Sequence, residues 1–484
     1  MMLRAHSDCD SQDCVMDIGG LQRLMVQTLS VLKQFLFDPS WRNLNHGSYG
    51  ATPSPIHARQ RIYQTESELA PDRYMRYESP LLIDSSRDSL ANHLNVPSST
   101  IVLVTNATTA VNIILRNLTW SPDKKDEIIS FSTLYGACGK TIDYITDTNP
   151  LVSSRVIPLL YPEDGDQDTI ISRFRDAITT ARSQGKRPRI AVFDMVSSQP
   201  GVRFPFELVV SVCRELGILS LVDGAQGIGM LRLDLTALDA DFVLSNCHKW
   251  LFVPKACAVL YVPHRHQHLM TSTLPTSHGY LSTGAPERDN PLPRDPNKSH
   301  FIANFSAAGT VDNSAFACVK DALLWREERL GGEHRIVRYL WRLAKEGGSK
   351  VASTLGTAVI DNRQGTLTDC AMVNVWLPVR LEGSPSRGIE FADDVLLTEE
   401  ESSAAITWAT STLVTEYKTF IPVTVHGGRW FIRLSAQVYL DLDDFAWAGE
   451  TVKAIVHRLR RGEHGKGRVD VVPAVKDGRP DSGE

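Results

Sequence analysis

Between residues 101 and 245, short apolar runs rich in valine, isoleucine and leucine alternate with longer stretches in which apolar residues return every three or four positions. The runs IVLV (101–104), EIISF (127–131), RVIPLL (155–160), RIAVF (189–193), ILSLV (218–222) and DFVLS (241–245) read as strands. They lack the polar alternation of a half-solvated strand. The intervening ATTAVNIILRNL, DTIISRFRDAITTAR and PFELVVSVCREL have the spacing of amphipathic helices. Strands buried on both faces and separated by helices predict an α/β fold, with a mostly parallel sheet sandwiched by helices, over residues 78–315. From 316 to 460 helical and strand patterns mix without strict alternation, which predicts a smaller α+β domain. Residues 461–484 are polar and rich in glycine, proline and charge, and read as a disordered tail.

Composition narrows the class without deciding it. With 42% hydrophobic and 22% charged residues and a net charge of -5, the chain resembles a globular protein with no expected nucleic-acid partner. No apolar run approaches the roughly 20 residues that span a bilayer, so no membrane partner is expected. The first residues, MMLRAHSDCDSQDC, carry acids and no apolar core, unlike a secretory signal. Eight cysteines are too few for a disulfide scaffold in a chain this long, and a cytoplasmic setting is expected. Cys9 and Cys14 have no second pair to complete a metal site, and HRHQH at 264–268 reads as a polar loop, so no metal is expected.

The chemistry collects where the strands end, at the edge where open α/β sheets bind ligands. After the first strand, Ala107 and Thr108 open a helix whose free N–H groups suit a phosphate, although N-capping alone explains the local sequence. Tyr135 follows the second strand, Asp194 the fourth and Asp223 the fifth; Ser245, His248 and Lys249 follow the sixth. Turn capping accounts for either aspartate alone but not for both at one crevice. Pyridoxal phosphate needs all of these groups. Lys249 suits its aldehyde as a Schiff base, and Asp223 its pyridine nitrogen. Gln226 suits the phenolic oxygen and Tyr135 the ring face, while Ala107, Thr108, Ser245 and His248 suit the phosphate. Asp194 completes the cofactor-binding set.

NATTAVN, VDGAQGIG and SNCHKW resemble the class V aminotransferase group of fold-type I pyridoxal-phosphate enzymes, over roughly residues 36–458. FDPSWRNLNHGSYGATP (37–53), SNCHKWLFVPKACAVLYVP and RLSAQVYL resemble its isopenicillin N epimerase-like branch, which includes fungal hercynylcysteine sulfoxide lyases and loline-pathway enzymes. The resemblance matches Lys249 to the family's Schiff-base lysine and Arg433 to its arginine for the substrate carboxylate. It matches Gly309 and Thr310 to a phosphate-binding pair given by a neighbouring subunit, which implies a homodimer with shared active sites. Asn45 and His46 match the segment 37–77 that lines the substrate side, behind an N-terminal extension (1–36). Ala307 stands where relatives often carry tryptophan. Lys255 and Ala256 replace a commoner arginine and glycine.

The resemblance implies a pyridoxal-phosphate-dependent lyase acting on a small-molecule amino acid, by C–S β-elimination or retro-aldol cleavage, in secondary metabolism. Epimerase and aminotransferase outcomes remain open. Cys370 lies in an apolar strand pattern, unlike the mobile nucleophile of a cysteine desulfurase. A noncatalytic binding protein of this fold would be expected to lose Lys249, Asp223 or Arg433, and all are present. No G-x-G-x-x-G or Walker loop follows an early strand to favour a nucleotide site.

Overall fold

The computed structural model describes residues 31–465 apart from 287, 289, 291, 292, 294, 307 and 386–388. The extension before residue 31, the tail from 466 onward and Ala307 therefore lie outside the described residues.

The larger sheet has seven strands: β1 (Ile101–Val104), β2 (Asp126–Phe131), β3 (Val152–Ile157), β4 (Arg187–Asp194), β5 (Leu219–Asp223), β6 (Phe242–Ser245) and β7 (Ala258–Tyr261). Their order is β1-β7-β6-β5-β4-β2-β3. β7 is antiparallel to both of its neighbours, and the pairings among β2 to β6 are parallel. The expected α/β sheet is thus present; β6 is buried along its length, β5 from Ser220 and β4 from Ile190 onward, as runs without polar alternation require. One strand is displaced. β3 ends at Ile157, three residues before the end of its apolar run, because it is an edge strand. Val156 is 58% exposed there, so the pattern of burial on both faces does not apply.

A second sheet contains β8 (Met372–Leu381), β9 (Val395–Leu397), β10 (Val423–His426) and β11 (Arg429–Ser435), in the order β10-β11-β8-β9. Helices Ser314–Leu330, Glu333–Leu355, Glu399–Thr415 and Leu442–Arg460 accompany it in sequence. Phe193 on β4 and Phe431 on β11 belong to one buried apolar cluster, so the two sheets share a core. Val31 and Phe35 join that cluster, and packing therefore begins ahead of residue 37.

Among the described residues no helix is long and apolar enough to cross a membrane. The HRHQH segment forms a short 3-10 turn, in which His266 Nε2 lies 2.7 Å from Asp241 Oδ1.

Candidate active site

Lys249 sits in the loop between β6 and β7, braced from behind. Gly50 (φ +66°) packs directly on this loop. A Cβ on Gly50 would lie 2.0 Å from the His248 carbonyl oxygen and 2.9 Å from Lys249 Cα, so only glycine fits. His46 Nε2 is 2.9 Å from the Lys249 carbonyl oxygen, and His46 Nδ1 is 3.0 Å from the Tyr439 hydroxyl. A carbonyl only accepts, so Nε2 carries the proton and Nδ1 accepts from Tyr439. Burial holds His46 neutral, with its pKa lowered to about 3. His46 thus supports the lysine backbone and does not line the substrate side, which corrects the sequence expectation: at 1% exposure its ring packs among Trp250, Phe252 and Tyr439.

The Lys249 side chain faces a cavity of about 340 Å³ that Tyr135, Thr133, Ser198, Tyr49 and Arg433 also line. Lost hydration pulls its pKa down to about 8; the Arg433 charge adds to this, while Asp223 and Asp194 oppose it. Asp194 and Asp223 end β4 and β5 side by side and are both buried. Burial raises both carboxyls above the ordinary range, and the charge of Asp223 raises Asp194 further. Asp223 Oδ1 accepts the Ala225 N–H at 2.8 Å, and Oδ2 accepts the Cys138 thiol at 3.1 Å. Cys138 escapes the sequence reading, although it lies one helical turn beyond Tyr135 on helix Gly136–Thr148.

Two of the groups offered for the phosphate are committed within the protein. The Ser245 hydroxyl donates to the Gly224 carbonyl and accepts the Ile228 N–H at 3.0 Å, so it braces the 224–228 turn and is not free for phosphate. The Ala107 N–H is taken by Asn246 Oδ1 at 2.9 Å, whereas the Thr108 N–H makes no hydrogen bond among the described residues. Gln226 donates to the Gly47 carbonyl and accepts from the Trp250 indole, both at 2.7 Å, leaving one amide N–H uncommitted. His248 Nδ1 lies 2.9 Å from the Cys257 carbonyl and must donate to it. Burial lowers the His248 pKa to about 4, so the neutral ring presents Nε2 as an acceptor. Asn246, which ties the helix start to the lysine loop, was legible only as a neighbour in SNCHKW. Thr310 is exposed, and neither it nor Gly309 lines the cavity.

Arg433 is 2% exposed and has no acidic partner among the described residues. Its Nη1 donates to the Ser198 carbonyl at 2.6 Å and to Ser198 Oγ at 3.3 Å. Nη2 donates to Asn45 Oδ1 at 2.7 Å and Ser48 Oγ at 2.9 Å, so Asn45 orients the arginine. Nε is buried without a partner. Burial lowers the guanidinium pKa to about 10. A buried cation held only by neutral oxygens is not half of a structural ion pair; it calls for an anion.

The class V aminotransferase family model matches residues 74–288. An L-cysteine desulfhydrase-like protein, lolT1, of Epichloe uncinata is 35% identical over 446 residues, spanning 90% of this chain and 97% of the relative. The chain belongs to the class V aminotransferase family. Hercynylcysteine sulfoxide lyase of Schizosaccharomyces pombe, another relative, is 29% identical over 87% of this chain and 96% of its own. The fold is that of the cystine C–S lyase C-DES, solved with cysteine persulfide, at a TM-score of 0.65 and 17% identity over 86% of this chain and 98% of that one. Pyridoxal phosphate is the cofactor that this family membership indicates. The residues present fit it: the buried carboxyls of Asp194 and Asp223 form no ion pair among the described residues and feel the charge of Lys249, so a protonated ring nitrogen would supply the positive charge that they lack.

Proposed function

We propose that the protein is a pyridoxal-phosphate-dependent lyase that cleaves a side-chain bond of an amino acid, by C–S β-elimination or by retro-aldol cleavage. The observation that carries this reading is a buried Arg433, with no acidic partner among the described residues, sharing one cavity with Lys249. A guanidinium so placed grips a carboxylate, and an amine of lowered pKa both captures an aldehyde and takes a proton. The two named lyase-type relatives favour bond cleavage over transamination or epimerisation.

The residues divide the work. Lys249 would hold the cofactor through its aldehyde, Asp223 would keep the proton on its ring nitrogen, and Tyr135 would cover a ring face. The uncommitted N–H of Gln226 would suit the phenolic oxygen and the Thr108 amide the phosphate, while His248, whose Nδ1 donates to the Cys257 carbonyl, would serve the phosphate end only by taking a proton on Nε2 when the anion binds. Pyridoxal phosphate supplies an electron sink for charge that develops at Cα. Arg433 fixes the substrate carboxylate and so selects which Cα bond stands perpendicular to the ring. The Lys249 amine would accept the Cα proton, and in β-elimination the sulfur would leave Cβ with its electron pair. Exposed Gly309 and Thr310 would reach the phosphate of a second subunit, which makes the active unit a homodimer, and the setting that goes with it in this reading is cytoplasmic.

Cys370 is fully buried, and burial pushes its thiol up to about 12, which withholds the thiolate a desulfurase nucleophile needs. Incubating the purified protein with amino acids bearing β-sulfoxide, thioether or γ-hydroxyl groups, with products read by mass spectrometry, tests the proposal. Cleavage products are expected. Products of transamination or epimerisation alone would overturn the lyase reading.

A further inference from the structure

Arg433 on β11 and Asn374 on β8 are directly opposite each other, so both side chains leave the same face of the small sheet. Asn374 is 1% exposed and does not line the cavity. Its carboxamide closes on a single residue of the loop after β4: Oδ1 accepts the Gly201 N–H at 2.8 Å, and Nδ2 donates to the Gly201 carbonyl at 2.9 Å. The same loop carries Ser198, whose carbonyl accepts from Arg433 Nη1 at 2.6 Å. Gly201 also lies against the arginine stem, where a Cβ would stand 2.9 Å from Arg433 Cδ.

A side chain that makes both of its hydrogen bonds to one residue fixes orientation as well as distance, which a single bond cannot do. The loop is thereby fastened to the sheet at the position beside the arginine. We propose that Asn374 is a positioning residue: it locks the 198–201 loop, and through Ser198 it sets the direction in which the Arg433 guanidinium meets a substrate carboxylate. This inference rests on the reading of Arg433 as the carboxylate anchor.

The test compares wild type, Asn374→Ala, Asn374→Ser, Gly201→Ala and Arg433→Lys, each loaded with cofactor and titrated separately with L-alanine and ethylamine. The absorbance of the bound cofactor reports binding, and the ratio of the two affinities isolates carboxylate recognition. Arg433→Lys should lower the ratio at least about tenfold, the scale of one weakened charge-assisted bond. Asn374→Ala should lower it about tenfold while ethylamine affinity stays within about twofold. A purely structural role predicts a lower melting temperature with the wild-type ratio, and that result overturns the proposal. If Asn374→Ala does not fold, Asn374→Ser decides, because the shorter side chain cannot make both bonds to Gly201, and an unchanged ratio there also overturns the proposal; Gly201→Ala, whose Cβ meets the arginine stem directly, is the positive control. A wild-type ratio in Arg433→Lys would instead remove the anchor itself, and the role of Asn374 with it.

Discussion

Asp194 and Asp223 are register partners at the last positions of two adjacent parallel strands, so their carboxyls share one face and one edge of the sheet. Burial puts both above the ordinary value of 3.8. In the cofactor-free protein the folded state therefore keeps protons that the unfolded chain has released, and stability falls as pH rises from near 4 through the raised folded values. Asp194→Asn should flatten that fall and raise the melting temperature of the cofactor-free protein at pH 7 relative to wild type. Melting curves at several pH values check it, and an unchanged pH slope would refute the coupling.

Asp223→Asn should separate from Asp194→Asn once cofactor is added. Without a carboxylate at the ring nitrogen, cofactor binding should weaken and turnover should drop by orders of magnitude, several kcal/mol in barrier. A near-normal rate would make Asp223 a turn residue held by Ala225 and Cys138 alone.

Lys249 should give cofactor capture a simple pH profile. The unprotonated amine is the nucleophile, so capture by the cofactor-free protein should accelerate as pH rises toward about 8 and level off above it. Stopped-flow absorbance measures the rate. Lys249→Ala should retain the fold and lose both the covalent link and turnover.

Arg433→Lys keeps the charge and loses the planar fork. The cofactor spectrum should stay normal while catalytic efficiency falls roughly 10- to 1000-fold. Intact kinetics with a lower melting temperature would instead mark Arg433 as a scaffold residue.

Ala256 adopts φ +69°, a conformation that costs an L-residue about 1 kcal/mol. Ala256→Gly should stabilise the protein by about 0.5–1 kcal/mol. A denaturation midpoint at or below that of wild type would show that the gain in unfolded-chain freedom outweighs the released strain.

The pattern of apolar runs located five of the first six strands of the larger sheet to within about two residues, because a strand buried on both faces needs apolar residues at every position. It misplaced β3, whose status as an edge is set by the order of strands in space. Lys249 and Tyr135, named from strand ends, and Arg433, named from the family resemblance, line one cavity in the structure, because strand ends and recurring motifs gather at the same edge of the sheet. Other assignments could not be read from the chain. Ser245 and Ala107 looked available for phosphate, yet hydrogen bonds to Gly224, Ile228 and Asn246 use them internally. His46 looked like a substrate contact, yet it supports the Lys249 carbonyl from behind. The sequence by itself determined the sheet, the family and the chemical groups on offer, since these follow from residue type and local spacing. Tertiary structure alone decided which of those groups are free. Each donor and acceptor is committed by partners far away in the chain, as Asn374 and Arg433 are to a loop some 170 and 230 residues before them.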